Sequence, residues 1–194
     1  MLKQLFDIFF SLIGSIILSP VFIIISLLIV IDSKGGIFYT QERTGKNENP
    51  FNLYKFRTMK TGSDKKGLLT IGSKDNRVTK VGYFLRKSKI DELPQLFNVL
   101  IGNMSLVGPR PEVKQYTAMY TTEQKKVFSV RPGITDYASI AYRNENELLT
   151  KSDNPEKTYV ETIMPDKLKL NLKYISEQSL WTDIKIIIKT ILGK

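Results

Sequence analysis

The N-terminal part of the chain is dominated by one long apolar run. Residues 8–31 carry no charged side chain, and a charged residue lies on each side of them. A straight helix over these 24 residues would be roughly 36 Å long, enough to cross a hydrocarbon core of about 30 Å. The run is too long for a signal peptide, and no small-residue cleavage site ends it. Hydropathy alone therefore predicts a membrane segment, most simply a single-span anchor.

The Ser19-Pro20 pair near the middle of this run predicts a break in the helix. A proline inside a helix removes a backbone hydrogen bond and costs about 3 kcal/mol, while a neighbouring hydroxyl can satisfy freed backbone groups. Each half, at roughly 18 Å, could not span a bilayer alone. We expect a re-entrant helix–break–helix over 1–31, although a kinked spanning helix also fits. Because most Lys and Arg follow this segment, a catalytic domain over 32–194 is expected in the cytoplasm.

Beyond the membrane segment, the pattern predicts a mainly α fold with a small β-strand pair. Two short strands are expected at 37–43 and 51–58, joined by a polar loop. A polar, glycine-containing stretch at 61–76 is predicted to be a loop. Helical spacing predicts the other elements, at 78–87, 92–101, 165–175 and 179–192.

The last predicted helix is amphipathic. Trp181 lies near its start and lysines follow along it. Its apolar face could pack against the core or lie at a membrane surface, where Trp and Lys suit the headgroup boundary. That face is formed by Leu180, Ile184, Ile187, Ile188 and Ile191.

Composition narrows the chemistry. The chain has 29 Lys and Arg against 19 Asp and Glu, a formal charge of +10, which predicts an anionic partner. It contains neither Cys nor His, so disulfides, thiol nucleophiles, the usual zinc sites and histidine acid–base catalysis are excluded. A metal would have to be a hard cation held by oxygen ligands, most simply Mg²⁺.

Asp91 and Glu92 are adjacent carboxylates at the expected start of a helix. Ser88 and Asp91 match a capping box, so helix capping is one interpretation. If Asp91 were itself the N-cap, Pro94 would fall harmlessly in the first turn, and the helix dipole would favour an ionised carboxylate. An ionised Asp can act as a nucleophile toward phosphorus.

Four motifs along the chain carry basic residues or carboxylates. They are KFRTM at 55–59, DELPQ at 91–95, GNMSLVGPRPE at 102–112 and RPGIT at 131–135. The last two present a single arginine beside prolines, which suits bidentate phosphate binding. Together with the membrane segment, these motifs closely resemble the bacterial sugar transferases, the small monotopic phosphoglycosyl transferases, over essentially the whole chain.

The resemblance implies that a UDP-sugar donates its sugar-1-phosphate to polyprenol (undecaprenyl) phosphate and that UMP is released. It also implies that this step begins glycoconjugate assembly, such as that of a capsule, O-antigen, exopolysaccharide or glycoprotein glycan. The expected location is the cytoplasmic face of the bacterial inner membrane. The partners are the two substrates and the membrane, with no nucleic acid, and a homodimer is left open.

The resemblance also implies roles for individual residues. Asp91 is the expected nucleophile, which forms a phosphoaspartyl intermediate that the lipid phosphate displaces. Glu92 would assist with Mg²⁺ or with the lipid phosphate, so both acids are expected metal ligands. The side chains expected to bind substrate phosphate are Arg86 and Arg110 and, as weaker candidates, Lys55, Arg57 and Arg131.

Two departures from the family pattern stand out. Asp136 follows the RPGIT motif where the family often has glycine, and Asn171 stands where many members have aspartate. These differences indicate a subgroup with its own sugar preference, and the sequence does not identify that sugar. The alternative function is a membrane-anchored basic protein that binds anionic lipid or nucleic acid without catalysis.

Overall fold

The computed structural model describes residues 2–63 and 75–193, so most of the loop predicted at 61–76 lies outside the described residues. The helices in the first half are α1 (Leu2–Ile17), α2 (Ser19–Asp32), α3 (Lys80–Ser88) and α4 (Gln95–Leu100). Those in the second half are α5 (Lys114–Thr117), α6 (Tyr137–Ala141), α7 (Glu145–Thr150), α8 (Pro155–Thr158), α9 (Met164–Ser176) and α10 (Leu180–Leu192). The strands are β1 (Phe38–Thr44), β2 (Pro50–Phe56), β3 (Ser105–Val107) and β4 (Gly133–Thr135).

The predicted break at Ser19-Pro20 is confirmed as a bend between α1 and α2. Their axes differ by 61°, and Pro20 lies in the first turn of α2, where its missing N–H does least harm. Among the described residues, no single helix is long and apolar enough to cross a bilayer, whereas the bent pair meets that requirement in length and composition.

The two helices of the pair bury different kinds of side chain against the rest of the chain. From α2, Phe22, Ile25 and Ile29 enter one core cluster with Phe56 and Leu85. From α1, the buried side chains are Asp7 and Ser11, while most of its apolar side chains are exposed. The boundary predicted between 1–31 and 32–194 remains a prediction.

The first sheet is the predicted strand pair, with β1 and β2 antiparallel. The amide side chain of Asn98, fully buried in α4, occupies the free edge of β2. It accepts a hydrogen bond from Tyr54 N at 2.9 Å and donates one to Asn52 O at 2.7 Å. Asn98 thus satisfies backbone groups that a third strand would otherwise pair, and it fixes α4 against β2.

A second, parallel pair was not predicted. Here β3 and β4 join the GNMSLVGPRPE and RPGIT motifs, with Ser105 opposite Gly133 and Val107 opposite Thr135. Gly133 N donates to Pro109 O at 3.0 Å, and a side chain at Gly133 would collide with the backbone of Gly108. Glycine is therefore required at this contact by close approach of two backbones.

Two details of the helices differ from the prediction. The expected helix over 92–101 is shorter, since Pro94 takes the N-cap position of α4 and Asp91 lies in a preceding 3-10 turn, Ile90–Glu92. The proposal that Asp91 is the N-cap is therefore wrong.

In α10, the fully buried side chains are Asp183 and Ile186. The predicted apolar face is half-buried or exposed instead, so it forms the rim of the contact and the outer surface.

Candidate active site

The Ile90–Glu92 turn places two adjacent carboxylates between α3 and α4. Lys89 ends α3 in the left-handed conformation, with φ 58°, which turns the chain sharply before Asp91. Asn98 holds the following helix against β2, the strand that carries Lys55. The buried Asn98 amide thus holds β2, and with it Lys55, next to the turn that carries the two acids.

Glu92 is paired with two cations. Lys55 Nζ lies 2.8 Å from Glu92 Oε1, and the Arg110 guanidinium binds both carboxylate oxygens, at 2.5 and 3.2 Å. Burial alone would raise the pKa of Glu92, but Arg110 and Lys55 outweigh it and hold that pKa well below its usual value. Glu92 in turn raises the pKa of the Arg110 guanidinium. These three side chains form one fixed ionic unit.

Asp91 has a different environment, although it is the next residue. Its side chain is only 9% exposed, and it makes no hydrogen bond or ion pair within the described residues. Burial raises the pKa of Asp91, while the positive charges of Lys55, Arg86 and Arg110 oppose that shift. The result is a desolvated, unpaired carboxylate surrounded by cations, which is the environment that a nucleophile toward an anionic substrate requires.

Arg86 is the free cation of this group. Its side chain is half-buried, and it has no hydrogen-bond or ion-pair partner in the part of the chain that the structure describes. Its charge nevertheless acts on Asp91. The structure therefore brings together Lys55, Arg86, Asp91, Glu92 and Arg110, and it leaves Arg86 available for an incoming phosphate.

Arg57 and Arg131 point to backbone carbonyls instead. The buried Arg57 guanidinium donates to Gly36 O at 2.5 Å and to Ser33 O at 2.8 Å, at the end of α2. Arg131 donates to Gly102 O at 2.7 Å. Neither residue is among the charges that act most strongly on Asp91. Their predicted role in phosphate binding finds no support in these contacts and stays a prediction.

Asp136 is a site residue that sequence reasoning missed. It is fully buried, and its carboxylate accepts hydrogen bonds from Ser139 N at 2.5 Å and Arg110 N at 3.2 Å. It thereby caps α6 and fixes the backbone of the arginine that holds Glu92. Burial raises the pKa of Asp136 against the effect of these contacts. The only sequence signal was its departure from glycine after RPGIT.

Asp91 and Glu92 are not equally available to bind Mg²⁺. Within 2–63 and 75–193, no three acidic side chains come together. Both oxygens of Glu92 are occupied by Arg110 and Lys55, whereas those of Asp91 have no partner in the described part of the chain. Mg²⁺ commonly takes one or two carboxylates together with water and substrate phosphate oxygens. Asp91 therefore fits as a protein ligand, and Glu92 in this arrangement does not.

The chain is similar in sequence to known proteins of one family. The family model for bacterial sugar transferases matches residues 1–193. The UDP-glucose:undecaprenyl-phosphate glucose-1-phosphate transferase of Escherichia coli (strain K12) is 36% identical over 195 residues, which cover 98% of this chain and 39% of the relative. The exopolysaccharide production protein PSS of Rhizobium leguminosarum bv. phaseoli is 35% identical over 200 residues, which cover 100% and 94%.

A third relative names another sugar. The UDP-N-acetylgalactosamine-undecaprenyl-phosphate N-acetylgalactosaminephosphotransferase of Aeromonas hydrophila is 35% identical over 193 residues, which cover 98% of this chain and 43% of the relative. The chain thus spans less than half the length of the Escherichia and Aeromonas relatives. With a family model that covers nearly every residue and relatives above 30% identity, this chain belongs to the bacterial sugar transferase family.

Proposed function

We propose that this chain transfers a sugar-1-phosphate from a UDP-sugar to polyprenol phosphate and releases UMP, with Asp91 as the nucleophile. Relatives named for transfer from UDP-sugars to undecaprenyl phosphate support the substrate classes. The observation that carries the proposal is the contrast between the two acids. Glu92 is bound by Lys55 and Arg110, and its unpaired neighbour Asp91 is free to react.

The first step is attack of an Asp91 carboxylate oxygen on the sugar-proximal phosphorus of the donor. The new O–P bond forms as the bond from that phosphorus to the bridging diphosphate oxygen breaks, and UMP leaves with the bridging oxygen. The phosphosugar remains on Asp91 as an acyl phosphate. Arg86 neutralises phosphate charge, and the Lys55–Glu92–Arg110 unit keeps a positive field beside the reacting oxygen.

In the second step, an oxygen of polyprenol phosphate attacks the same phosphorus. The acyl phosphate bond breaks, Asp91 returns as a carboxylate, and the product is a polyprenyl diphosphate sugar. Glu92 does not change its protonation in this scheme, because its low pKa and two cations keep it ionised. It acts by holding Lys55 and Arg110 in place. Mg²⁺, with Asp91 as protein ligand, would supply charge neutralisation of the diphosphate.

The second substrate is a lipid, and the apolar surface of the chain fits that role. We propose that α1 and α2 enter one leaflet as a re-entrant pair at the cytoplasmic face of the inner membrane. Both helices expose large apolar side chains, and α10 exposes Trp181, Ile188 and Ile191. Burying such surface in lipid is favourable, and tryptophan and lysine suit the headgroup region.

The nucleophile is tested with Asp91→Asn. We expect UMP release to fall by roughly a thousandfold or more, since a neutral amide cannot attack phosphorus. Donor labelled at the sugar-proximal phosphate, supplied without lipid acceptor, should leave a label on the wild-type protein and none on the variant. Glu123→Gln is the control, because Glu123 is exposed and, among the described residues, forms an ion pair only with Lys126. Full UMP release by the Asn variant would refute the assignment, and none by the wild type with any UDP-sugar would refute the transferase.

Mg²⁺ is tested by chelation. With no His or Cys in the chain and Glu92 occupied, we expect activity to disappear in EDTA and to return with Mg²⁺ or Mn²⁺. Isothermal titration should show weak metal binding to the protein alone and tighter binding with UDP present, since the diphosphate supplies most ligands. Undiminished turnover after thorough chelation would show that the cationic side chains alone neutralise the donor.

A further inference from the structure

A pocket is lined in part by the loop that carries Arg110. The Pro109–Glu112 segment lines it together with Tyr120, Phe128, Leu168 and Asn171. Empty space in the pocket is about 300 Å³, part of it open to solvent, and the enclosed part is small. The pocket therefore suits a substituent of a ligand rather than a whole sugar ring.

The polar groups of this pocket are unequally used. Both oxygens of Glu112 are occupied, by Tyr159 OH and Arg43 Nη1, and Arg110 is bound to Glu92. Asn171, by contrast, is only 4% exposed, and within the described residues its Oδ1 is buried without a hydrogen-bond partner. A buried polar group without a partner is costly, typically by about 1–3 kcal/mol, so a partner for Asn171 Oδ1 is expected. The Tyr120 hydroxyl also makes no hydrogen bond within the described residues and can donate one to a ligand, but it is not itself a buried group in need of a partner.

A ligand group that fits this pocket would therefore donate a hydrogen bond to Asn171 Oδ1, accept one from Tyr120 OH, and place apolar surface against the apolar lining. Tyr120 and Phe128 stack with ring centroids 5.8 Å apart, and Leu168 is buried beside Asn171 on the next turn of α9. An acetamido group matches this set. Its N–H can donate to Asn171 Oδ1, its carbonyl can accept from Tyr120 OH, and its methyl group suits the apolar wall. A hydroxyl lacks both the methyl group and the separate carbonyl.

We propose that this pocket receives the acetamido group of a 2-acetamido sugar donor and that Asn171 and Tyr120 select such donors over those with a hydroxyl at that carbon. The inference rests on the proposed function, because Arg110 is the element that the phosphate site and the pocket share. The acetamido carbon is adjacent to the anomeric carbon that bears the phosphate. A donor whose phosphate lies at Asp91 and Arg110 therefore has this substituent within a few bonds of the pocket.

The test uses two matched donor pairs, UDP-N-acetylgalactosamine with UDP-galactose and UDP-N-acetylglucosamine with UDP-glucose. Binding is measured by titration on Asp91→Ala, which prevents turnover, and kcat/KM is measured on the otherwise native chain. We expect an acetamido preference of at least about tenfold in one pair. Asn171→Leu, similar in size but without the acceptor, and Tyr120→Phe should each reduce that preference by roughly three- to tenfold.

Free UDP is the control ligand, and its affinity should be the same in both variants. Asn171→Asp retains an acceptor oxygen and should keep more of the preference than Asn171→Leu. Tyr120→Phe, which keeps the ring, provides the test if Asn171→Leu fails to fold. Equal binding and turnover of acetamido and hydroxyl donors, or a preference unchanged in both variants, would show that the pocket holds ordered water only. Absence of turnover with every donor would refute the transferase, while the binding ratios would still decide the pocket.

Discussion

At the scale of single residues, Asp91 and Glu92 differ by their neighbours and not by their chemistry. Lys55 and Arg110 stabilise the charge of Glu92, while burial penalises the charge of Asp91. Pairs of carboxylates whose surroundings move their pKa values apart commonly divide the work of a site. In the proposed mechanism, the ionised Glu92 holds the cations in place and the more basic Asp91 is the group that reacts.

The loss of activity at low pH should reflect protonation of the Asp91 carboxylate. Only its ionised form attacks, and because burial raises its pKa, activity should fall with decreasing pH earlier than for an exposed aspartate. Lys55→Met removes a charge that lowers this pKa and leaves Glu92 less neutralised, so both effects raise it. We expect the acid limb of kcat/KM to move up by roughly one pH unit.

Lys55→Arg is the matched control for that experiment, since it keeps the charge and should keep the acid limb near its original pH. The position of the limb is measured within each variant, so a lower overall rate does not disturb it. An acid limb that stays in place or moves to lower pH in Lys55→Met would contradict the electrostatic assignment.

At the scale of secondary-structure elements, the end of α2 is held to the rest of the chain from two sides. Arg57 binds the carbonyls of Ser33 and Gly36, and Asp32 accepts a hydrogen bond from Val81 N at 2.9 Å. A cation at the C-terminus of a helix also interacts favourably with its dipole. Because Arg57 directly follows β2, the strand that carries Lys55, these contacts connect the bent helix pair to the active site.

Replacing Arg57 by Met should therefore change stability, whereas replacing Arg86 by Met should change donor binding. Arg57→Met removes buried charge-assisted hydrogen bonds, and we expect it to lower the free energy of unfolding by about 3 kcal/mol. Arg86→Met, which loses no partner among the described residues, should leave the unfolding temperature unchanged and raise KM for the donor. Thermal unfolding in detergent and donor kinetics distinguish them. A raised KM with unchanged stability for Arg57→Met would restore its predicted role in phosphate binding.

At the scale of the whole molecule, the bend at Ser19-Pro20 sets where α1 lies. Beyond that bend, Asp7 Oδ2 accepts a hydrogen bond from Ser105 Oγ at 2.7 Å, and Ser105 begins the strand that leads to Arg110. Straightening the pair would pull α1 away from this contact. In the proposed re-entrant arrangement, the position of the active site relative to the membrane therefore depends on a proline with no chemical role.

Pro20→Ala should restore the missing hydrogen bond, favour a straight helix and lower activity. Since the chain has no Cys, Leu2→Cys can be labelled cleanly with a membrane-impermeant reagent. In the otherwise native chain this position should be protected in intact cells, on the same side as the catalytic domain. In Pro20→Ala a fraction should become accessible from outside. Outside labelling of Leu2→Cys in the native background would refute the re-entrant arrangement.

The parts of the fold that could be predicted are those with local signals. Alternation marked β1 and β2, proline marked the bend, and the motifs contain four of the five site residues that the structure brings together, Arg86 being the exception. The pairing of β3 with β4 had no such signal, because two three-residue strands leave no periodic pattern. Asn98 and Asp136 act on backbone groups distant in sequence, and nothing local distinguishes them from surface residues. Likewise, a motif does not tell toward which partner the Arg57 guanidinium turns.

The inward-facing polar side of α1 has a consequence for the order of events during synthesis. Asp7 and Ser11 are covered in the finished structure. Asp7 lies 3.8 Å from Lys3 of the same helix, but the groups that donate hydrogen bonds to it, Ser105 Oγ and Leu106 N, come almost a hundred residues later in the chain. When α1 leaves the ribosome, these two donors have not yet been made. A carboxylate that lacks its hydrogen bonds is costly in hydrocarbon, even with a lysine nearby. In the proposed re-entrant arrangement, stable insertion of the N-terminal segment should therefore wait for the catalytic domain, so that the protein reaches the membrane after translation and largely folded.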